Sequence, residues 1–204
     1  MRYNKANMRH IKGAKIDMYH ISLFFDEKSN NIISQHIKQV ALKTGNDYML
    51  SASVPPHITV AAFNTATPND VVRILGERLS KITRGEIKWV GVGAFLPNVI
   101  YITPVLNEYI DRISKISYNT LSEISYGDKT IQNEMTKIEI SSMYKPFSWI
   151  PHTTIGKKLS GEEMKLAFEV MQNRFGIFSG EVVSIGIAKT NPYENIAIYD
   201  LKQD

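Results

Sequence analysis

Pro56-His57-Ile58-Thr59-Val60 and Pro151-His152-Thr153-Thr154-Ile155 carry one pattern twice, 95 residues apart: proline, histidine, a spacer, threonine and an aliphatic residue. The same shift superimposes Gly85-Glu86-Ile87 on Gly180-Glu181-Val182, Val90-Gly91-Val92 on Ile185-Gly186-Ile187, and Pro97 on Pro192. One register held across separated patches indicates internal duplication. Each half then supplies a strand, a helix, a strand opening on histidine, a second helix and a hairpin. Two such halves predict an α+β, bilobal fold: two lobes related by a pseudo-twofold axis, each with a mainly antiparallel sheet and two helices, and the histidine strands facing one another across a central cleft.

Working outward, Tyr19 to Phe25 reads as a buried strand, and Asp26 to Asn31 supplies helix-start chemistry before Ile33, Ile37, Val40 and Ala41. Gly45-Asn46-Asp47 ends that helix. His57 to Phe63 is the first histidine strand, and Thr67-Pro68-Asn69-Asp70 opens a helix bearing Val71, Ile74, Leu75 and Leu79. Strands at 86–95 and 99–103 flank a Pro97-Asn98 turn. Ile110, Ile113, Ile116 and Leu121 restore a helical period, and a polar stretch from Ser125 to Ser148 is long enough to suggest a loop or lid that shapes a substrate. His152 to Lys157 leads into Ser160-Gly161-Glu162-Glu163, a helix opening followed by Met164, Ala167, Phe168 and Met171, and strands at 181–189 and 195–201 close the chain. Residues 18–204 thus form one bilobal domain in which the lobes mix both halves of the chain, preceded by a tail.

Charge separates the same two parts. The net +4 resides wholly in residues 1–17, where Arg2, Lys5, Arg9, Lys12 and Lys15 oppose Asp17 (5 − 1 = +4), so the body is neutral. The tail lacks the apolar core of a signal peptide and reads as a poorly packed basic arm or a start-site artefact. No apolar run approaches the ~18 residues of a membrane span. Zero cysteines exclude disulfides, thiolate nucleophiles and cysteine-ligated metals, and are compatible with a reducing cytoplasm.

Alternation along a strand aims His57 and Thr59 one way, and likewise His152 and Thr154. With the twofold relation, two imidazoles and two hydroxyls converge on one point. That set suits a tetrahedral phosphate: a pKa near 6.5 lets one ring accept a proton while the other donates one, and the threonines donate to non-bridging oxygens. On these motifs, together with Tyr144 to Trp149 leading into the second one and Lys157 five positions after His152, the chain resembles the two-histidine phosphoesterase superfamily, in particular its bacterial 2′-5′ RNA ligase and 2′,3′-cyclic phosphodiesterase group. The likeness spans roughly Met18 to Leu201. It implies metal-independent chemistry on RNA ends or small nucleotides bearing a 2′,3′-cyclic phosphate or a 2′-5′ linkage; no cofactor is expected, and a cytoplasmic monomer is the expected form. It also implies His57 and His152 as catalytic residues, with Thr59 and Thr154 binding phosphate. Thr153 departs from the family, where an aliphatic residue is usual; its side chain points away from the cleft, so packing is affected more than catalysis.

Around that core, neighbouring strand residues face opposite ways, so only one of Lys157 and Lys158 reaches the cleft, and the resemblance implies Lys157 as the one that holds substrate charge. Tyr144, Phe147 and Trp149 suit base stacking, with core packing an equal alternative for Trp149. His20 and Ser22 mimic the motif but fail the register test, because position 115 is Lys115; they read as strand packing or cleft wall. His36 and His10 read as surface residues. An RNA-end-binding module with little turnover is the alternative function, against which intact His and Thr in both halves argue. A histidine metal centre lacks the acidic third ligand.

Overall fold

The computed structural model describes residues 16–126, 138–146 and 148–203. Residues 1–15 of the expected tail, with His10, the centre of the polar stretch at 127–137, and Phe147 lie outside the described residues.

Among the described residues, eight strands form one antiparallel sheet: β1 (Asp17–Phe25), β2 (Ile58–Thr65), β3 (Gly85–Phe95), β4 (Val99–Pro104), β5 (Glu139–Ile140), β6 (Thr153–Lys157), β7 (Phe178–Thr190) and β8 (Tyr193–Asp200). With them go the helices α1 (Glu27–Thr44), α2 (Tyr48–Ser51), α3 (Pro68–Leu79), α4 (Glu108–Tyr126) and α5 (Gly161–Arg174). The expected capping chemistry is in place. Asp26 accepts from the Ser29 amide, Gly45 takes the left-handed conformation that closes α1, and Ser160 with Glu163 forms a reciprocal capping box on α5. The strand order is β5-β2-β1-β7-β3-β4-β6, with β8 added to β7 beside β3.

The two halves are exchanged between the lobes. β1, β2 and α3 of the first half join α4, β7 and β8 of the second; β4, β6 and α5 of the second half join α1 and β3 of the first. Helices α1 and α5 pack together on β4 and β6, and α3 and α4 pack together on β2 and β8. This arrangement makes β4 the counterpart of β1, since each precedes the helix that leads to a histidine strand and each pairs with that strand. Simple sliding of the sequence groups β4 with the first hairpin instead; its pairing to β6 is what assigns it to the second unit.

The axis is visible in the β3–β7 pairing. Glu86 lies opposite Glu181, its own repeat partner, flanked by Gly85 opposite Val182 and Ile87 opposite Gly180, pairs that interchange under the 95-residue shift. Both glycines are required by close approach. A Cβ on Gly85 would run into the Tyr109 ring of α4, and one on Gly180 would run into Ser29 Oγ of α1. The helices that cross between lobes thus pass over the axis at equivalent glycines. Aliphatic residues from every strand pair fill the core, together with Phe25, Phe63 and Trp89.

Gly180→Ala is expected to push Ser29 away from its N-cap partner Asp26 and to destabilise the protein by about 1–3 kcal/mol, the usual range for overpacking a tight site. Gly161→Ala, where nothing lies within 4 Å of the added carbon, is the control. Thermal unfolding of the two variants checks this; equal melting temperatures would show that α1 does not need this contact.

Candidate active site

His57 and His152 each sit immediately before their strands, and exposure alternates as the motif requires. His57 and Thr59 are half-buried between buried Ile58 and Val60, and His152 and Thr154 are half-buried between buried Thr153 and Ile155. The buried residues face the helices, and the His and Thr side chains occupy the opposite, uncovered face. Thr153 points into the core, where Trp89 Nε1 donates to its hydroxyl at 3.3 Å.

The two imidazoles are held in the same way. His57 Nδ1 lies 2.8 Å from the Pro55 carbonyl and His152 Nδ1 lies 2.8 Å from the Ile150 carbonyl, in each case two residues upstream. A carbonyl only accepts, so both Nδ1 atoms carry protons and both Nε2 atoms are left to take or give one. Burial lowers the pKa of each ring below the ordinary 6.5, partly offset by the carbonyl bond. His57 is lowered further by the positive charges of His152 and Lys157, which places both of those groups within its electrostatic reach.

A matched pair of β-bulges sets the faces. Val60 is the extra residue in β2 opposite Ile21 and Ser22, and Ile155, its repeat partner, is the extra residue in β6 opposite Ile100 and Tyr101. A bulge shifts the alternation by one. Uninterrupted alternation from His152 would bring Lys158 to the cleft face and turn Lys157 away. With the bulge, Gly156 faces the core, its Cβ position 2.8 Å from Ile100, and Lys157 shares the face of Thr154. Lys158 instead takes a left-handed backbone conformation (φ 60°) and rests its ammonium 4.2 Å from the centre of the Tyr48 ring. The first-lobe counterpart of Lys157 is Ala62, so this cation is not repeated on the other side of the site.

The walls also differ. On the first side His20 stacks on His57 at 5.4 Å between ring centroids, with Tyr193 at 6.0 Å from His20 and Phe24 at 6.3 Å from His57. On the second, Phe95 meets His152 edge-on at 4.8 Å and Tyr101 lies 5.2 Å from it. Phe95, Tyr101 and Tyr193 carry no motif that marks them in the sequence. His20 and Ser22 did carry one, the His-x-Ser spacing, but lie outside the repeat register. Trp149 belongs to the core at 9% exposure, with half-buried Tyr144 6.4 Å away, so this tryptophan does not offer a free stacking face. His36 is a correction: it is buried, not a surface residue, because Phe175 and Phe178 from distant segments close over it at 6.0 and 6.5 Å. Among the described residues no group of three or more His, Cys, Asp or Glu is placed to hold a metal ion, and no helix is long and apolar enough to cross a membrane.

The model of the 2′-5′ RNA ligase superfamily matches residues 24–194. Three solved structures share the fold: TT0787 of Thermus thermophilus (TM-score 0.60, 15% identity, covering 92% of this chain and 99% of that one), a phosphoesterase (0.57, 12%, 93% and 100%), and E. coli LigT complexed with 3′-AMP (0.56, 12%, 93% and 100%). No curated protein matches the chain at a significant level.

Burial pushes the pKa of His20 down to about 3, with the neighbouring His57 adding to the effect. The unfolded chain, with pKa near 6.5, therefore binds a proton at acid pH that the folded protein excludes. Stability is full above pH 6.5 and falls as the pH drops toward 3, by up to ~1.4 kcal/mol per pH unit from this residue. Denaturant melts between pH 7 and 4 should show a shallower acid loss in His20→Phe than in the wild type; parallel curves would contradict the assignment.

Proposed function

Because the chain belongs to the 2′-5′ RNA ligase superfamily, we propose that it is a metal-independent phosphodiesterase acting on RNA ends or small nucleotides, opening 2′,3′-cyclic phosphates or cleaving and forming 2′-5′ linkages. The observation that carries this reading is the matched presentation of His57 and His152. Each ring is oriented by a carbonyl bond at Nδ1 and keeps Nε2 for proton transfer, and each stands beside a threonine hydroxyl. Binding alone requires no such proton-transfer pair.

In the hydrolytic direction one Nε2 takes a proton from water as its oxygen bonds to phosphorus in line. The opposite phosphorus–oxygen bond breaks, and the other ring, protonated, gives its Nε2 proton to the departing ribose oxygen. The products are a phosphomonoester and a free hydroxyl; in the linkage-forming direction a 5′-hydroxyl takes the place of water, its oxygen bonds to the phosphorus of the 2′,3′-cyclic phosphate, and the 3′ oxygen leaves as a hydroxyl, so that a 2′-5′ diester forms. Thr59, Thr154 and Lys157 oppose the charge that builds on the non-bridging oxygens. The aromatic side chains on both walls suit a nucleoside, in keeping with the 3′-AMP in the LigT complex. One chain contains both histidines, so a monomer suffices.

His57→Ala and His152→Ala are each expected to lower turnover of nucleoside 2′,3′-cyclic phosphates at least ~10²-fold with the melting temperature retained, and EDTA is expected to leave the wild type unchanged. Substantial activity in either variant would refute the mechanism. The pH profile supplies a second check. Both rings are lowered in the free protein, so kcat/KM should peak on the acid side of pH 6.5. A bound phosphate anion favours the protonated rings, so the kcat profile should sit at higher pH than that of kcat/KM.

A further inference from the structure

Ser22 is fully buried, and its hydroxyl lies between two other polar groups of the first wall. His20 Nδ1 is 2.6 Å from Ser22 Oγ, and Ser22 Oγ is 3.4 Å from Thr59 Oγ1. The three are held by the β1–β2 ladder, in which Ser22 pairs with Thr59 and His20 with Ala62. His20 itself is only 6% exposed and is clamped by stacking on His57. The second lobe is built differently: the residue paired with Thr154 is Tyr101, whose ring turns toward His152.

A neutral imidazole has one N–H and one lone pair, so the chain of hydroxyls has two polarities. With the proton on His20 Nδ1, that nitrogen donates to Ser22 Oγ, Ser22 donates to Thr59 Oγ1, and the Thr59 proton is left for an acceptor in the cleft. With the proton on Nε2, Ser22 donates to His20 and its oxygen is open to accept from Thr59, which draws the Thr59 proton away from the cleft. A phosphate oxygen is bound by the first polarity and repelled by the second. Resting on the phosphoesterase reading above, we propose that His20 is a positioning residue which, through Ser22, turns the Thr59 proton toward the substrate phosphate. The 3.4 Å step is long for two hydroxyls and, on this proposal, must shorten when a phosphate engages Thr59. The two threonines are thereby unequal: Thr59 is oriented from behind and Thr154 is not.

A double-mutant cycle tests this. Ser22→Ala should lower kcat for a nucleoside 2′,3′-cyclic phosphate about tenfold with little change in KM, less than the ~10²-fold loss expected for a direct donor in Thr59→Val. In the Thr59→Val background Ser22→Ala should cost almost nothing, whereas with Thr154→Val its cost should multiply in full. His20→Phe, which keeps a ring but no donor, should match Ser22→Ala, and His20→Asn, whose amide N–H can stand in for Nδ1–H, should recover activity to within a few-fold. Independent of turnover, the imidazole ¹⁵N shifts of His20 with saturating inorganic phosphate should report the proton on Nδ1. A proton on Nε2 in that state, or an equal cost of Ser22→Ala in all three backgrounds, overturns the proposal. If the wild type binds phosphate with the proton on Nδ1 yet turns over none of the cyclic nucleotides, the enzymatic reading fails while the orientation of Thr59 stands. If it binds no phosphate, both fail.

Discussion

The architecture depends on a self-matched strand pairing. Glu86 and Glu181, the same position in the two repeats, lie directly opposite one another where β3 meets β7, and this contact fixes the pseudo-twofold axis. Like charges in such a pair repel. The cost is relieved on one side, where Arg84 lies 3.3 Å from the Glu181 carboxylate. From that axis the rest follows by symmetry. α1 and α4 cross it over equivalent glycines, β1 and β4 lie beyond it, and the two histidine strands form the next layer outward, each turned by its bulge so that histidine and threonine leave the helix-covered face.

Within this frame the candidate site is symmetric at the two histidines and asymmetric elsewhere. The Nδ1–carbonyl bond recurs at both histidines with the same geometry, which is local, set by the two residues before each strand. What differs comes from neighbouring strands. Lys157 replaces Ala62, Tyr101 stands where the first lobe has Ser22, and Phe95 flanks one ring while His20 flanks the other. A twofold scaffold thereby carries two unlike walls around its histidines.

Much of this is legible in the sequence. The alternation of His57 and Thr59, or of His152 and Thr154, requires only that the segments be strands, and the 95-residue register announces that the two are related. The helix caps at Asp26, Gly45 and Ser160 are readable because they are local chemistry. What stays hidden is non-local. No periodicity reveals that α1 and β3 cross to the other lobe, since that is decided by which strands pair. The bulge at Ile155, which turns Lys157 toward the cleft, is a mismatch with β4 that β6 alone does not express. His20 and Ser22 lie outside the repeat register, so the duplication says nothing of them, and the groups that meet them come from β2, from His57 just before it, and from Tyr193. His36 looks exposed because the rings that cover it lie some 140 residues further along the chain.

Exchange of elements between the lobes also bears on how the two walls can differ. Two separate half-length chains with the same interlocked geometry would assemble around a true twofold axis, and every residue would then occur in duplicate. A lysine near one histidine would be a lysine near both, and a serine behind one threonine a serine behind both. Joining the halves into a single polypeptide removes that constraint, because each position is specified once. Unlike surroundings for two equivalent histidines are therefore something that the covalently linked form of this scaffold can encode and a pair of identical half-chains cannot.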